Sequence, residues 1–152
     1  FKMLPTTNEN HISNVRNALR SAAVGPDGIN PFAIPVVIDY HASPQFSTFQ
    51  VERAPAVTRA RASTLGFWCS TKGGPLSLSE LCQIQGFPKS INSTAKQLKV
   101  SDAQLGCMVG NAQTLPLVAD IIPHVLFNAN LISKKAFKEM KENYEKNRAA
   151  RT

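Results

Sequence analysis

Ile12, Val15 and Leu19 are spaced by three and four residues. This places an apolar stripe along one side of a helix expected over Asn10–Ala23. Arg16 and Arg20 stand one turn apart on another part of its surface. Gly25-Pro26-Asp27-Gly28 then supplies turn geometry and breaks the periodicity. The pattern changes at Pro35–Tyr40, where the β-branched run Val36, Val37, Ile38 favours an extended, packed segment with Pro35 at its start. Further short strands are expected at Phe46–Val51, Pro55–Thr58 and Leu65–Cys69. Gly73-Gly74-Pro75 is expected to interrupt extended structure.

Beyond Pro75 the spacing becomes helical. Ser77 and Glu80 form a capping box, in which each residue satisfies the other's free backbone amide. Leu81, Ile84 and Gln85 continue that short helix, and Gly86 suits its reversal. Ser101 and Gln104 repeat the device before Leu105 and Met108, with Gly110 as the expected end. Thr114 is the third expected cap, with Pro116 in the first turn and a packing stripe of Leu115, Val118, Ala119 and Ile122. Pro123 should end or kink this helix, because it lacks an amide proton and crowds the preceding turn. Ser133 is expected to cap a last helix with Phe137, Met140 and Tyr144 on one side and a Glu142–Lys146 pair on its surface.

The chain has 152 residues, 43% of them apolar, enough for one domain with a real core. No run of 18 apolar residues occurs, so no membrane partner is expected. A chain that begins at Phe1 is expected to be a piece of a longer protein. Cys69, Cys82 and Cys107 form no CxxC, which argues against a cysteine zinc site or a disulfide framework. Reduced thiols suit an intracellular protein, nuclear in a eukaryote or cytoplasmic in a bacterium. His41 and His124 have no metal-ligand spacing around them, and no serine sits in a GxSxG elbow.

The formal charge is +7 and is unevenly spread. Between Arg53 and Lys72 there are four basic residues and no acid, a stretch suited to nucleic acid. From Lys134 to Arg151 seven basic residues are mixed with three acids, as on a solvated helix face. Phe67 and Trp68 could stack on bases, although core or hinge packing suits them better.

The run Leu76-Ser77-Leu78-Ser79-Glu80-Leu81-Cys82-Gln83-Ile84-Gln85-Gly86-Phe87-Pro88 resembles the ninth conserved motif of DNA cytosine-5 methyltransferases, in which a short helix ends in Leu-Gln-Gly-Phe-Pro. Glu80, Gln85, Gly86, Phe87 and Pro88 match; Ser79 stands at the usual arginine position and Ile84 replaces leucine. The run Gln104–Ile122 resembles the tenth motif, centred on Gly110-Asn111-Ala112 and followed by Pro116 and an apolar helix. Gln113-Thr114-Leu115 departs from the commoner Val-Pro-rich continuation.

The resemblance implies an α+β fragment of an α/β S-adenosylmethionine-dependent methyltransferase, with few short strands followed by helices. It spans about residues 36–126. The implied organisation is a helix and turn at 1–35, the distal target-recognition region at 36–75, motif-bearing helices at 76–127, and a basic helix or tail at 128–152. Gly110, Asn111 and Ala112 would approach S-adenosylmethionine, with Gly110 permitting close approach and Ala112 offering its amide. Thr58, Arg59, Arg61, Ser63 and Lys72 would face double-stranded DNA.

In the resembling enzymes a cysteine thiolate adds to C6 of a flipped cytosine, a glutamate assists at N3, and C5 then attacks the cofactor's methyl group. That cysteine follows a proline, whereas here Cys69 follows Trp68, Cys82 follows Leu81 and Cys107 follows Gly106. No Glu-Asn-Val run and no Gly-rich cofactor turn occurs. The expected partner is therefore a complementary methyltransferase catalytic domain or subunit, upstream or on another chain. A non-catalytic DNA-binding module derived from such an enzyme, or a structural protein-interaction fragment, would share the same residues.

Overall fold

In the computed structural model, which describes residues 8–149, the chain is α+β: a short antiparallel sheet followed by several helices. Helix α1 (Glu9–Val24) begins at Asn8, whose side chain accepts from the amides of Asn10 and His11. Strands β1 (Val36–Asp39), β2 (Phe49–Val51), β3 (Phe67–Cys69) and β4 (Gly74–Pro75) form one sheet in the order β2-β1-β3-β4. Central β1 pairs Val37 with Gln50 on one side and with Cys69 on the other.

Successive side chains of a strand point to opposite faces, and here both faces are covered. Val36, Ile38, Tyr40 and Trp68 pack under Val15, Ala18 and Ala22 of α1. Val37, Phe67, Cys69 and Leu76 pack on the other side against Ala62 and Leu81. This explains why β1 is an unbroken β-branched run rather than an alternating one. Asn14, within the buried face of α1, donates to the carbonyl oxygens of Tyr40 (3.1 Å) and Ala42 (2.8 Å) and anchors the end of β1. Phe67 and Trp68 are core residues, each 1% exposed. The Trp68 indole N–H has no hydrogen-bond partner among the described residues.

Several expectations are revised here. The strand expected from Phe46 begins only at Phe49; Ser43–Phe46 is a turn closed by the Phe46 amide on the Ser43 carbonyl, 2.9 Å. Pro55–Thr58 is not a strand but leads into helix α2 (Arg59–Thr64), capped by Thr58 and ended by Leu65 in the left-handed conformation. Gly73-Gly74-Pro75 does not stop the sheet. Gly73 makes the turn at φ +66, and Gly74–Pro75 returns as an edge strand beside Trp68 and Cys69, where a proline without an amide is tolerated.

The capping boxes at Ser77 and Ser101 both form. They open α3 (Leu78–Ile84) and α5 (Asp102–Asn111). Between them lies α4 (Ile91–Gln97), which no periodicity announced. Gly86, at φ +83, ends α3: its amide bonds to the Gln83 carbonyl and that of Phe87 to Cys82, both at 2.9 Å. That double bond is the Schellman arrangement, which demands the left-handed backbone that glycine adopts without strain. Cys82, Ala95, Leu105 and Val109 close a third core cluster beneath Phe87 and Ile91.

Helix α5 does not end at Gly110 but runs through Asn111. Helix α6 (Leu115–Asn128) likewise continues past Pro123, which is buried within it. Proline removes one hydrogen bond there, and the ladder resumes, the Ala129 amide reaching the Val125 carbonyl at 3.0 Å. Helix α7 (Lys134–Ala149) is capped by Ser133, whose hydroxyl accepts from the Ala136 amide at 3.2 Å. It folds back on α6 through Phe137 against Phe127 and His124, and through Lys141 on Asp120 at 2.7 Å. Glu142 pairs with Lys138 at 3.7 Å, not with Lys146.

Candidate functional site

The two motif-bearing segments meet at one residue. Gln85 closes α3 and is only 4% exposed. Its side-chain amide donates to the carbonyls of Val109 (3.4 Å) and Ala112 (3.5 Å) at the end of α5. Its side-chain oxygen accepts from the Thr114 hydroxyl at 2.6 Å, and its backbone carbonyl from the Leu115 amide at 3.0 Å. Thr114 thus precedes α6 as expected, but its hydroxyl reaches Gln85 and leaves the helix start uncapped by a side chain.

Gly86 completes the junction. A Cβ on it would stand 2.4 Å from Cδ of Pro116 and 3.3 Å from Cβ of Leu115. The start of α6 therefore sits directly on the bare Gly86 backbone. Phe87 packs into the third core cluster, and Pro88 is exposed.

Gly110 has a different neighbour from the one expected. Gly106 and Gly110 lie one turn apart on α5 and face α2. A Cβ on Gly106 would lie 2.7 Å from the Ala62 carbonyl oxygen, and one on Gly110 only 2.4 Å from the Arg59 backbone. The space at Gly110 is filled by α2, so the glycine serves backbone packing between two helices. Asn111 is exposed at the end of α5. Ala112 does not offer its amide outward, because that N–H donates to the Val109 carbonyl at 3.2 Å. Of the two groups expected to meet S-adenosylmethionine through hydrogen bonds, the Asn111 carboxamide is exposed and the Ala112 amide is already engaged by Val109.

The basic set divides in the same way. Arg61 donates through Nε to Asp39 Oδ1 at 2.6 Å, so its guanidinium ties α2 to the end of β1. Lys72 donates to Glu80, which also accepts from the Ser77 amide at 2.7 Å and hydroxyl at 2.6 Å. Partial burial by itself would raise the Glu80 carboxyl. The hydrogen bonds from Lys72 and Ser77 outweigh it and hold the group below its ordinary value. Ser63 is half-buried and its hydroxyl donates to the Ala60 carbonyl at 3.2 Å. Thr58 and Arg59 are exposed at the start of α2. Sequence spacing named Thr114 as a cap but gave neither its bond to Gln85 nor the pairing of Asp39 with Arg61, since both partners lie more than 20 residues away. Only the β-branched run before Asp39, which marks it as strand-bound, hinted at either.

A second feature lies beyond the junction. Leu117 (56% exposed), Ile121 (48%) and Val125 (55%) recur at i, i+4, i+8 along α6 and form an uncovered apolar stripe. Asp102–Asn128 has the length of a membrane-spanning segment and contains an 18-residue window of mean hydropathy 1.3. It is two helices, however, with Ala112–Thr114 non-helical between them. The 14 residues of α6 reach about 21 Å, short of the ~30 Å of a bilayer core.

No family model, no curated protein and no solved structure matches the chain.

Proposed function

We propose that this chain is the C-terminal portion of a DNA cytosine-5 methyltransferase, contributing DNA recognition and one side of the S-adenosylmethionine pocket. The observation that supports this reading is the junction at Gln85 and Gly86. The two segments that resemble the ninth and tenth motifs are 24 residues apart by their Gln85–Val109 contact, yet one buried amide and one bare glycine lock them together. In this reading the Asn111 carboxamide contacts the cofactor's amino-acid end, and Arg59 with Thr58 contacts DNA. The cofactor supplies the methyl group. The thiolate that attacks the base comes from a complementary catalytic region, because none of Cys69, Cys82 and Cys107 follows a proline, and Cys82 is buried in the core, where burial raises its thiol above the ordinary value.

The uncovered stripe on α6 supports the same reading, since a missing catalytic body would bury it. The test is complementation. The chain is mixed with a catalytic half bearing a Pro-Cys loop and a Gly-rich cofactor turn, and transfer of labelled methyl groups to duplex DNA is measured. Activity should need both halves, and Asn111→Ala should weaken use of S-adenosylmethionine more than DNA association. Robust methyl transfer by the chain alone would refute the division of labour. Equal loss of cofactor use and DNA association would refute the role of Asn111.

A further inference from the structure

Two of the cations expected to face DNA are held in ion pairs, and a further unpaired positive surface lies around α4. From Leu81 to Ser101 there are three lysines, Lys89, Lys96 and Lys99, and no aspartate or glutamate. All three are exposed, and none takes part in an ion pair among the described residues. By contrast, Lys135, Lys138 and Lys141 on α7 each have an acidic partner within 4.0 Å.

The placement follows from α4. Ala95 is the buried residue of that helix, with Ile91 on the same side. Ser90 already has helical dihedral angles, and the Ile91 amide bonds to the Pro88 carbonyl at 3.0 Å, so the helical path extends back to Lys89. Lys89, Ser93 and Lys96 then recur at i, i+4, i+7, on the face away from Ala95. Lys99 follows at φ +56, just past the helix end. The hydroxyls of Ser93 (2.7 Å) and Thr94 (3.2 Å) donate back to the Ser90 carbonyl, so the outward face presents ammonium groups as its donors.

This face is packed on the same core as the junction. It follows Gly86 directly, and its inner side shares a core cluster with Leu105 and Val109 of α5. We infer that the outer face of Pro88–Lys99 is a docking surface for the phosphate backbone of duplex DNA, engaged through Lys89, Lys96 and Lys99. The inference rests on the function proposed above and adds a contact surface which that reading did not contain. Such a surface positions the duplex and does not read its sequence, because an ammonium on a phosphate is indifferent to the base. Each lysine contact should add about 1 to the slope of log affinity against log salt.

The test uses the intact chain and a fluorescent 20-base-pair duplex, with binding followed by anisotropy across a salt series. The triple variant Lys89→Ala, Lys96→Ala, Lys99→Ala should bind about tenfold or more weakly, and its salt slope should fall by about 3. The charge-matched triple Lys134→Ala, Lys135→Ala, Lys138→Ala should change the slope by less than about 1. Circular dichroism establishes that both variants stay folded, which surface lysine changes permit. Equal losses from the two triples would overturn the inference, since net charge alone would then account for binding. An unchanged slope in the first triple would overturn it while leaving the proposed function intact. Failure of the unsubstituted chain to bind DNA would overturn both, as would binding only to phosphatidylserine vesicles offered in parallel.

Discussion

The sheet body and the α6–α7 arm handle their apolar residues in opposite ways. In the body, α1 covers one face of the sheet and α2, α3 and Leu76 cover the other, so Val36, Ile38 and Leu81 are each 0% exposed. In the arm, α6 is apolar around most of its circumference, yet Pro123 is its only buried residue. The body therefore draws its stability from its own core. The arm is held by its hairpin partner α7 and by the junction at its start. Burial of apolar area contributes roughly 25 cal/mol per Å², and α6 leaves much of that contribution unrealised. In the proposed reading, the complementary catalytic region would cover this surface.

The contrast can be broken most severely at the α2–α5 contact. Gly110→Ala would place a Cβ against the Arg59 backbone, where no flexible side chain can yield. We expect a loss of about 3 kcal/mol in urea unfolding, at the upper end of overpacking costs. An unchanged midpoint would mean that the two helices do not meet as described. Gln85→Ala comes next. It removes the buried partner of Val109, Ala112 and Thr114, and should cost about 1–3 kcal/mol.

Gly86→Ala sharpens the comparison rather than testing the body as a whole. The substitution conflicts with φ +83 and with Pro116, and should cost about 1–2 kcal/mol from the left-handed backbone alone. The arm should loosen first, seen as faster proteolysis near Gln113–Thr114, with the sheet core still protected from hydrogen exchange. Simultaneous loss of both would show that arm and body are one cooperative unit. On the arm itself, Ile121→Lys should change stability by under about 0.5 kcal/mol, as expected of an exposed site. It should nevertheless abolish complementation by a catalytic half. Retained complementation would exclude α6 as the docking face.

The smallest effect concerns pH in the body. The His41 ring stacks on that of His11 at 4.4 Å, lies against Tyr40, and shares a 3.1 Å hydrogen bond with Thr64. Burial, then the neighbouring His11 and Arg61, lower its pKa below 6.5, against an opposing pull from Asp39. A histidine depressed in the folded state favours folding above its ordinary pKa and loses that contribution as pH falls through the lowered value. The urea midpoint should therefore decline gently below about pH 6.5, and His41→Phe should flatten that decline. A midpoint that rises on acidification would reverse the sign and contradict the stacked arrangement.

Local rules were legible where a residue's role depends on its near neighbours. The boxes at Ser77 and Ser101, the cap at Ser133, the stripe of α1 and the run Val36–Ile38 all fulfil their expectations. They do so because the groups satisfied lie within four residues. Pro55–Thr58 and Gly110 were misjudged for the opposite reason. Helix α2 is short and polar in pattern, and what fixes it is Ala62 packed against Gly106, 44 positions later. The candidate site was legible as two separate motifs, but their joining by Gln85 was not.

The sequence by itself determined the turns, the caps and the apolar periodicity, because these are set by backbone sterics and hydrogen bonds between adjacent residues. Tertiary structure alone decided that Arg61 and Lys72 would be paired with acids, that Gly110 would serve α2, and that Lys89, Lys96 and Lys99 would make no ion pair among the described residues. Charge pairing and close packing depend on distances between residues far apart in the chain, and no local spacing encodes them.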